Sequence, residues 1–280
     1  MSYKSILVHV DESARAEVRI KIAAKLAAAF DAHLVGAAVT GVSKLLYQSG
    51  TFGFIDPNTM AVNLDFLTER AQVSLTRFED IVRSTETRSV EQRLIDDEAG
   101  GGMSMQARYS DLVVIGQSNE DDRSGMVNKD FPEYVVIHGG RPVLIVPYAG
   151  RFDTVGHKVL IAWDASMEAT HAVTNALPLL KKADIVQVVA FNPDTKLEKH
   201  GEQPGADIAL YLARHDVNVE VAQQATDVDI GNALLSCAAD FGSDLIVMGG
   251  YGHSRFREVL LGGVTRTVLK SMTVPVLMSH

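Results

Sequence analysis

A glycine-rich stretch near the C-terminus carries the clearest chemistry in the sequence. Residues 249–265 read Gly-Gly-Tyr-Gly-His-Ser-Arg-Phe-Arg-Glu-Val-Leu-Leu-Gly-Gly-Val-Thr. The apolar run Leu245–Met248 precedes this stretch and the amphipathic segment Val264–Met272 follows it, which predicts a strand, a loop and a helix. Glycines beyond a buried strand let backbone N–H groups approach a phosphate, and the N-terminus of the next helix adds partial positive charge. The stretch therefore predicts a phosphate-binding loop.

Other patterns that carry chemistry are missing from the sequence. The spacing Gly249-x-x-Gly252, followed after nine residues by Gly262-Gly263, is neither GxxxxGK[ST] nor GxGxxG. The 9 histidines show no HExxH spacing, and there is no GxSxG elbow. The acidic run 120–122 has the chemistry to chelate a divalent ion, but a solvated surface turn is the favoured interpretation. We therefore expect no catalytic residues and no resident metal.

The elements that must position the loop occur twice along the chain. Each copy has an apolar strand that ends in Asp, a Ser-Asp-Leu strand that ends in Gly, and a last strand that begins after Pro. The second and third pairs are each 133 residues apart and the first pair 153, so the first copy carries about 20 extra residues. The three pairs are 4–11 with 157–164, 109–116 with 242–249, and 141–146 with 274–279.

Strands that alternate with helices predict parallel sheets built from right-handed crossovers. We expect an α/β protein of two tandem, doubly wound, five-stranded domains, residues 1–148 and 157–280. The predicted strands are Ile6–Val10, His33–Val39, Val90–Leu94, Leu112–Ile115, Val143–Val146, Val159–Trp163, Ile185–Phe191, Val217–Val221, Leu245–Met248 and Val274–Met278. The predicted helices include Ser13–Phe30, Asn63–Ser84, Ala99–Tyr109, Ser166–Leu180 with an interruption at Pro178, Ala206–His215 and Ile230–Phe241.

The extra residues of the first copy form a segment of their own. Gly41–Met60 contains three glycines, two phenylalanines and Pro57. Glycine and proline predict a loop, and the aromatic residues suggest a flap that packs over a neighbouring surface.

The loop spacing together with the repeat resembles the universal stress protein family, whose ATP-binding motif is Gly-x-x-Gly-x9-Gly-[Ser/Thr]. Gly249, Gly252 and Gly262 match this motif, and Gly263 departs from it because the family has Ser or Thr there. The resemblance covers nearly the whole chain. It implies a tandem form with Rossmann-like, adenine nucleotide alpha hydrolase-like domains that pair through their last strands as a pseudo-dimer.

The resemblance also implies one ATP site per chain, in the second copy. Whether Mg²⁺ accompanies the ATP is left open. Asp164 would lie near the ribose and phosphates, and the backbone near Ala190 would contact adenine. The phosphates would follow Gly249, Gly252, Gly262, Gly263, Val264 and Thr265. Glycine at 263 removes one hydroxyl, worth about 0.5–1.5 kcal/mol or about tenfold in affinity. His253, Arg255 and Arg257 either compensate with charge or form a solvated basic loop.

The same loop is degenerate in the first copy. With the offset of 133, Gly249 aligns with Gly116, but Gly252, Gly262 and Gly263 align with Asn119, Lys129 and Asp130. Three acidic residues, 120–122, stand where a triphosphate would lie, and like charges at close range are costly. We expect the first copy to have lost ATP binding, although Asp11 is retained at the end of its first strand.

Composition narrows the partners and the location. The net charge of −9 argues against nucleic acid, and no apolar run reaches the ~18 residues of a membrane helix. The N-terminal residues show no signal-peptide pattern, and one cysteine, Cys237, cannot form an internal disulfide. These features lead us to expect a cytoplasmic protein with no nucleic-acid or membrane partner.

Two functions from different classes remain open at this stage. The first is a nucleotide-binding regulatory module of the stress response, with slow ATP hydrolysis at most and a protein partner of unknown identity. The second is a structural, interaction or small-ligand-binding stress protein, in which a pocket near the flap holds a small molecule. Three matched glycines favour the first function, and Gly263 with the degenerate first loop favours the second. A homodimer is compatible with either.

Overall fold

The computed structural model describes residues 2–42, 57–119, 129–192, 204–252 and 263–280, with the backbone alone at 57–62. The chain divides into two compact units, Ser2–Arg141 and Pro142–His280. Each unit alternates strands with helices, so the predicted α/β class and its doubly wound parallel sheets are confirmed.

In the first unit, four parallel strands are arranged in the order β3-β2-β1-β4. The first strand therefore has the second on one side and the fourth on the other, and the strand order reverses between β1 and β4. The elements are β1 Ser5–His9, α1 Ala16–Phe30, β2 His33–Val39, α2 Pro57–Arg83, β3 Val90–Ile95, α3 Ala99–Ala107, β4 Leu112–Gly116 and α4 Phe131–His138.

In the second unit, six strands follow the order β5-β10-β9-β6-β7-β8, and all except β5 are parallel. The strand order reverses between β6 and β9. The elements are β5 Val143–Val146, β6 Lys158–Ala162, α5 Met167–Leu180, β7 Ile185–Phe191, α6 Ala206–Ala213, β8 Val219–Gln224, α7 Ile230–Phe241, β9 Leu245–Gly249, α8 Gly263–Ser271 and β10 Val276–Ser279.

The strand β5, last in the first copy, pairs antiparallel with β10, with Leu144 opposite Leu277. Pairing between the last strands of the two copies was predicted, and it is present. Since this pairing places β5 in the compact unit that begins at Pro142, the four- and six-stranded units do not follow the copies of the repeat. The domain bounds 1–148 and 157–280 and the pseudo-dimer stay predictions.

A carboxylate at the start of β4 and of β9 explains one signature of the repeat. Asp111 accepts the backbone N–H groups of Lys4 and Ser5, at 2.7 and 3.0 Å. Asp244 accepts those of Gly156, His157 and Lys158, at 3.1, 3.1 and 2.9 Å. In each unit the Ser-Asp-Leu segment therefore satisfies donors that precede or begin the neighbouring first strand.

Several element predictions need correction. The helix α2 begins at Pro57, so the end of the predicted flap Gly41–Met60 is helical, whereas 43–56 lie outside the described residues. The helix α4, Phe131–His138, was not predicted. Pro178 does not interrupt α5, which continues to Leu180. The predicted helix Ser13–Phe30 begins later, at Ala16, and Arg15 precedes it without a side-chain capping hydrogen bond.

Candidate functional site

The corner of the second unit where strand order reverses contains Asp164, two residues after β6. Its side chain is exposed, and among the described residues only the N–H of Ser166 donates to it, at 3.0 Å. Ser166 in turn caps α5 by accepting the N–H of Ala169 at 3.1 Å. The strand β7, on the other side of β6, holds Ala190 fully buried, so only its backbone is available to a ligand.

Gly249 ends β9 where the strand meets the first turn of α5. A Cβ at this position would stand 2.6 Å from the backbone nitrogen of Ala169 and 2.7 Å from the carbonyl carbon of Glu168. Both are backbone atoms that cannot easily move. Glycine is therefore required here for helix–strand packing, which is a reason independent of any phosphate.

The remaining predicted phosphate contacts differ in their surroundings. A Cβ on Gly252 would lie 3.3 Å from Oε2 of Glu168, whereas one on Gly263 would meet no described atom within 4 Å. Gly263 begins α8, Val264 is half-buried and Thr265 is buried. Gly262 lies outside the described residues, as do His253, Arg255 and Arg257.

Left-handed backbone follows three adjacent strands of the second unit. The φ angles are 57° at Ala165 after β6, 43° at Asn192 after β7 and 60° at Tyr251 after β9. Non-glycine residues in this region are strained, and such strain concentrates at ligand sites and active sites. The strained backbone thus lies at the carboxyl edge of the sheet, where open α/β sheets bind ligands.

The equivalent corner of the first unit is filled by an arginine. Arg19 of α1 is 3% exposed, its Nη2 lies 2.9 Å from Oδ1 of Asp11, and its Nε donates to the carbonyl oxygen of His9 at 2.7 Å. A Cβ on Gly116, at the end of β4, would stand 2.6 Å from Nη1 of Arg19. Since the guanidinium is held at both ends, Gly116 makes room for the arginine.

His9 completes this buried cluster, which we call the Arg19 cluster: His9, Asp11 and Arg19. The Nδ1 of His9 lies 3.5 Å from Oδ2 of Asp11, the ring packs against Phe131 with centroids 5.0 Å apart, and Nε2 has no hydrogen-bond partner among the described residues. Burial lowers the pKa of His9 to about 4, although the Asp11 carboxylate opposes this shift. The imidazole is therefore neutral at pH 7.

Asp11 behaves as a fixed anion. Burial alone would raise the pKa of its carboxyl, but the adjacent Arg19 guanidinium and the Ser13 hydroxyl, which donates to Oδ1 at 2.6 Å, hold that pKa well below its usual range. Asp11, which follows the first strand of the first unit, is thus ion-paired. Asp164, its counterpart in the second unit, is exposed and makes no ion pair among the described residues.

The repeat explains why the two corners differ. With the offset of 153 that relates the first strands, His9 aligns with Ala162 and Arg19 with Ala172. The second unit therefore lacks both side chains that fill the first corner. Sequence reasoning singled out Asp11 and missed His9, Arg19 and Glu168. A charged residue on the apolar face of α1, between Ala16 and Ile20, was the available signal.

Two further features bear on ligands and partners. Within the described residues, no group of three or more His, Cys, Asp or Glu side chains could hold a metal ion. None of the helices in the described parts of the chain combines the length and apolar character that a membrane crossing needs.

The fold defines a class: tandem, doubly wound α/β proteins with mostly parallel sheets. The sequence model of the universal stress protein family matches residues 156–280. The matched residues make up the second copy of the repeat, which is therefore similar to universal stress proteins.

Two curated universal stress proteins are similar to parts of this chain. The universal stress protein Slr1230 of Synechocystis sp. is 25% identical over 172 residues, which cover 60% of this chain and 57% of that protein. Universal stress protein MJ0577 of Methanocaldococcus jannaschii is 43% identical over 44 residues, 16% of this chain and 27% of that protein. The match thus spans less than two thirds of each of these relatives.

A solved structure has a similar fold. The crystal structure of a universal stress protein from Archaeoglobus fulgidus superposes with a TM-score of 0.75 at 15% sequence identity. The superposition covers 98% of this chain and 97% of that one.

Proposed function

We propose that the second unit binds an adenine nucleotide, ATP with Mg²⁺, and that the protein is a nucleotide-dependent regulatory module of the stress response. The observation that carries this proposal is the state of Asp164. Its carboxylate is exposed at the corner where strand order reverses and is engaged only by its own turn among the described residues. A carboxylate so placed is available to ribose hydroxyls.

Each predicted site residue that the structure describes has a role in this proposal. Asp164 accepts hydrogen bonds from the ribose, and the backbone near Ala190 contacts adenine. Gly252 and Gly263 bring backbone N–H groups close to the phosphates, and the first turn of α8, at Val264 and Thr265, adds partial positive charge. Gly249 shapes the end of β9. The sequence motif adds Gly262 to this set.

We propose that the first unit does not bind nucleotide. Its first-strand Asp is neutralised by Arg19, whose guanidinium occupies the space next to Gly116. A ribose would have to displace a buried ion pair to reach Asp11, which leaves an uncompensated charge in the interior. One nucleotide site per chain follows from this difference.

The proposal includes a cytoplasmic location and a protein partner that responds to the nucleotide state. The second candidate function is small-ligand binding or interaction without nucleotide. Two observations favour it: Gly263 offers no hydroxyl, and the Glu168 carboxylate lies close to Gly252. The two functions differ in whether ATP binds the corner at all.

Calorimetric titration of the whole chain with ATP and Mg²⁺ distinguishes them. We expect one site per chain with micromolar affinity, weakened about tenfold or more in Asp164→Asn and abolished in Gly252→Asp. Asp184→Asn is the matched control. Asp184 is exposed just before β7, at the amino ends of the strands and away from the corner, so this variant should leave ATP binding unchanged. Absence of binding at millimolar ATP would reject the nucleotide function, and two sites would show that the first unit also binds.

A further inference from the structure

Two consecutive residues hold the backbone of Gly250, the second residue of the glycine-rich stretch. The N–H of Gly250 donates to the carbonyl oxygen of Ser279, the last residue of β10, at 2.9 Å. The imidazole Nδ1 of His280 lies 3.0 Å from the carbonyl oxygen of Gly250. Both backbone polar groups of Gly250 are therefore engaged at the end of the neighbouring strand.

The contact from His280 requires a particular state of its ring. Because a carbonyl oxygen only accepts hydrogen bonds, Nδ1 must carry a proton and donate it to Gly250. Gly250 is buried, so its carbonyl needs this donor. The ring is also well supported, since the preceding Ser279 is only 2% exposed and its Oγ accepts Nδ2 of Asn175, in α5, at 3.1 Å.

This hydrogen bond orients the peptide that joins Gly250 to Tyr251. The carbonyl of Gly250 and the N–H of Tyr251 belong to one planar unit, so a donor that fixes the first also fixes the second. Tyr251 has a left-handed φ of 60°, and Gly252 follows it directly. The direction in which the backbone reaches Gly252 therefore depends on the imidazole of His280.

The first unit has no equivalent side-chain donor. With the offset of 133, His280 aligns with Pro147 and Gly250 with Gln117. The pyrrolidine ring of proline has no polar hydrogen to donate. A side-chain donor at this place is thus a property of the unit proposed to bind nucleotide and not of the repeat.

We propose that His280 is a positioning residue for phosphate binding by the second unit. It acts through the Gly250 carbonyl and keeps the segment Gly249–Gly252 in the conformation that presents Gly252 to the phosphates. The base and ribose are bound elsewhere, near Ala190 and Asp164, and do not depend on it. This inference rests on the proposed nucleotide function and adds a residue outside the glycine motif that serves the phosphates alone.

The test compares calorimetric binding of ATP with Mg²⁺ and of adenosine to the wild type, His280→Asn, His280→Gln and His280→Ala. The amide nitrogen of asparagine can take the place of Nδ1, whereas that of glutamine lies one bond further out. We expect ATP to bind about tenfold more weakly to the Ala and Gln variants and nearly as wild type to the Asn variant. Adenosine binding should change less than about twofold in all three variants.

A second readout needs no ligand. In the free protein, the peptide that contains Gly249–Gly252 should exchange its amide hydrogens faster in His280→Ala and His280→Gln than in the wild type and His280→Asn. His157→Ala is the matched control, because His157 is an exposed histidine of the same unit, just before β6 at the amino ends of the strands. It should behave as wild type in both measurements.

The outcomes separate the two proposals. Wild-type affinity for ATP in His280→Ala, or equal weakening in the Asn, Gln and Ala variants, overturns the inference and leaves the nucleotide function standing. Equal weakening of ATP and adenosine also overturns it, because the effect is then not specific to the phosphates. Absence of ATP binding to the wild type overturns both proposals. The fluorescence of Trp163, the only tryptophan, checks that the second unit is folded in each variant.

Discussion

Removal of the Arg19 side chain should destabilise the first unit strongly. In Arg19→Ala, which reproduces the alanine of the second unit at position 172, Asp11 loses the guanidinium 2.9 Å from its Oδ1. The carbonyl oxygen of His9 loses a donor at 2.7 Å. Because the Asp11 side chain is only 17% exposed, water can replace these contacts only in part.

The size of the destabilisation follows from the Asp11 charge that stays buried after the substitution. Breaking a buried ion pair by removing one partner costs about 3–5 kcal/mol, because the remaining charge stays buried without compensation. Small domains have about 5–15 kcal/mol in total, so the loss is a large fraction of the stability. The double variant Asp11→Asn with Arg19→Ala removes both charges, and we expect it to be no less stable than either single variant.

Hydrogen exchange read by mass spectrometry is the suitable assay, since it resolves peptides from β1 and β4 separately from those of the second unit. Lys21→Ala is the matched control on the same helix, because Lys21 is exposed and pairs only with Glu17 across one turn among the described residues. Lys21→Ala should lower the free energy of unfolding by about 0.5 kcal/mol or less. Two results would refute the reasoning. One is a loss of less than about 1 kcal/mol in the free energy of unfolding of Arg19→Ala. The other is a loss in the double variant equal to the sum of the losses in the two single variants.

Three other predictions follow from single contacts. The pKa of His9 is about 4 when buried, and unfolding exposes the ring, so acidification from pH 6.5 to 4 should lower the free energy of unfolding of Ser2–Arg141 by up to roughly 3 kcal/mol. Urea titrations across this pH range should show the decrease, and His9→Ala should make the free energy of unfolding depend less on pH. Gly249→Ala should destabilise the second unit by about 1–3 kcal/mol through its clash with the α5 backbone, whereas Gly263→Ala should be nearly neutral in thermal unfolding. Gly263→Ser should strengthen ATP binding up to about tenfold by calorimetry, with Gly263→Ala, which adds no hydroxyl, as its control; equal affinities of the two variants would show that the hydroxyl has no role.

Much of the fold could be predicted because buried parallel strands appear as unbroken apolar runs. The bounds of β2, β5 and β7 were predicted to the residue. The helix α4 was missed because its eight residues form a short apolar run with a proline at the start, and periodicity alone cannot distinguish such a run from loop or strand. Strand ends shifted by one to three residues, since pairing rather than composition decides where a strand stops.

The candidate site was less predictable, because its charges come from residues on different elements. Spacing identified Asp164 and Gly252, but the interpretation of Gly249 as a phosphate contact overlooked the helix backbone packed against it. The cluster around Arg19 joins a strand end to a helix face ten residues later, and burial of an arginine is so uncommon that it signals a partner. Glu168 became relevant only once its carboxylate was placed beside Gly252.

The antiparallel pairing of β5 with β10 determines where the chain can be divided. The glycine-containing segment 147–156 looks like the natural place to cut, but a fragment that begins at residue 157 would lose Val143–Val146 and leave the hydrogen-bonding groups along one side of β10 uncovered. Exposed strand edges recruit other strands, so such a fragment should self-associate. A fragment that begins at Pro142 keeps β5 paired with β10, so the hydrogen-bonding groups on that side of β10 stay covered.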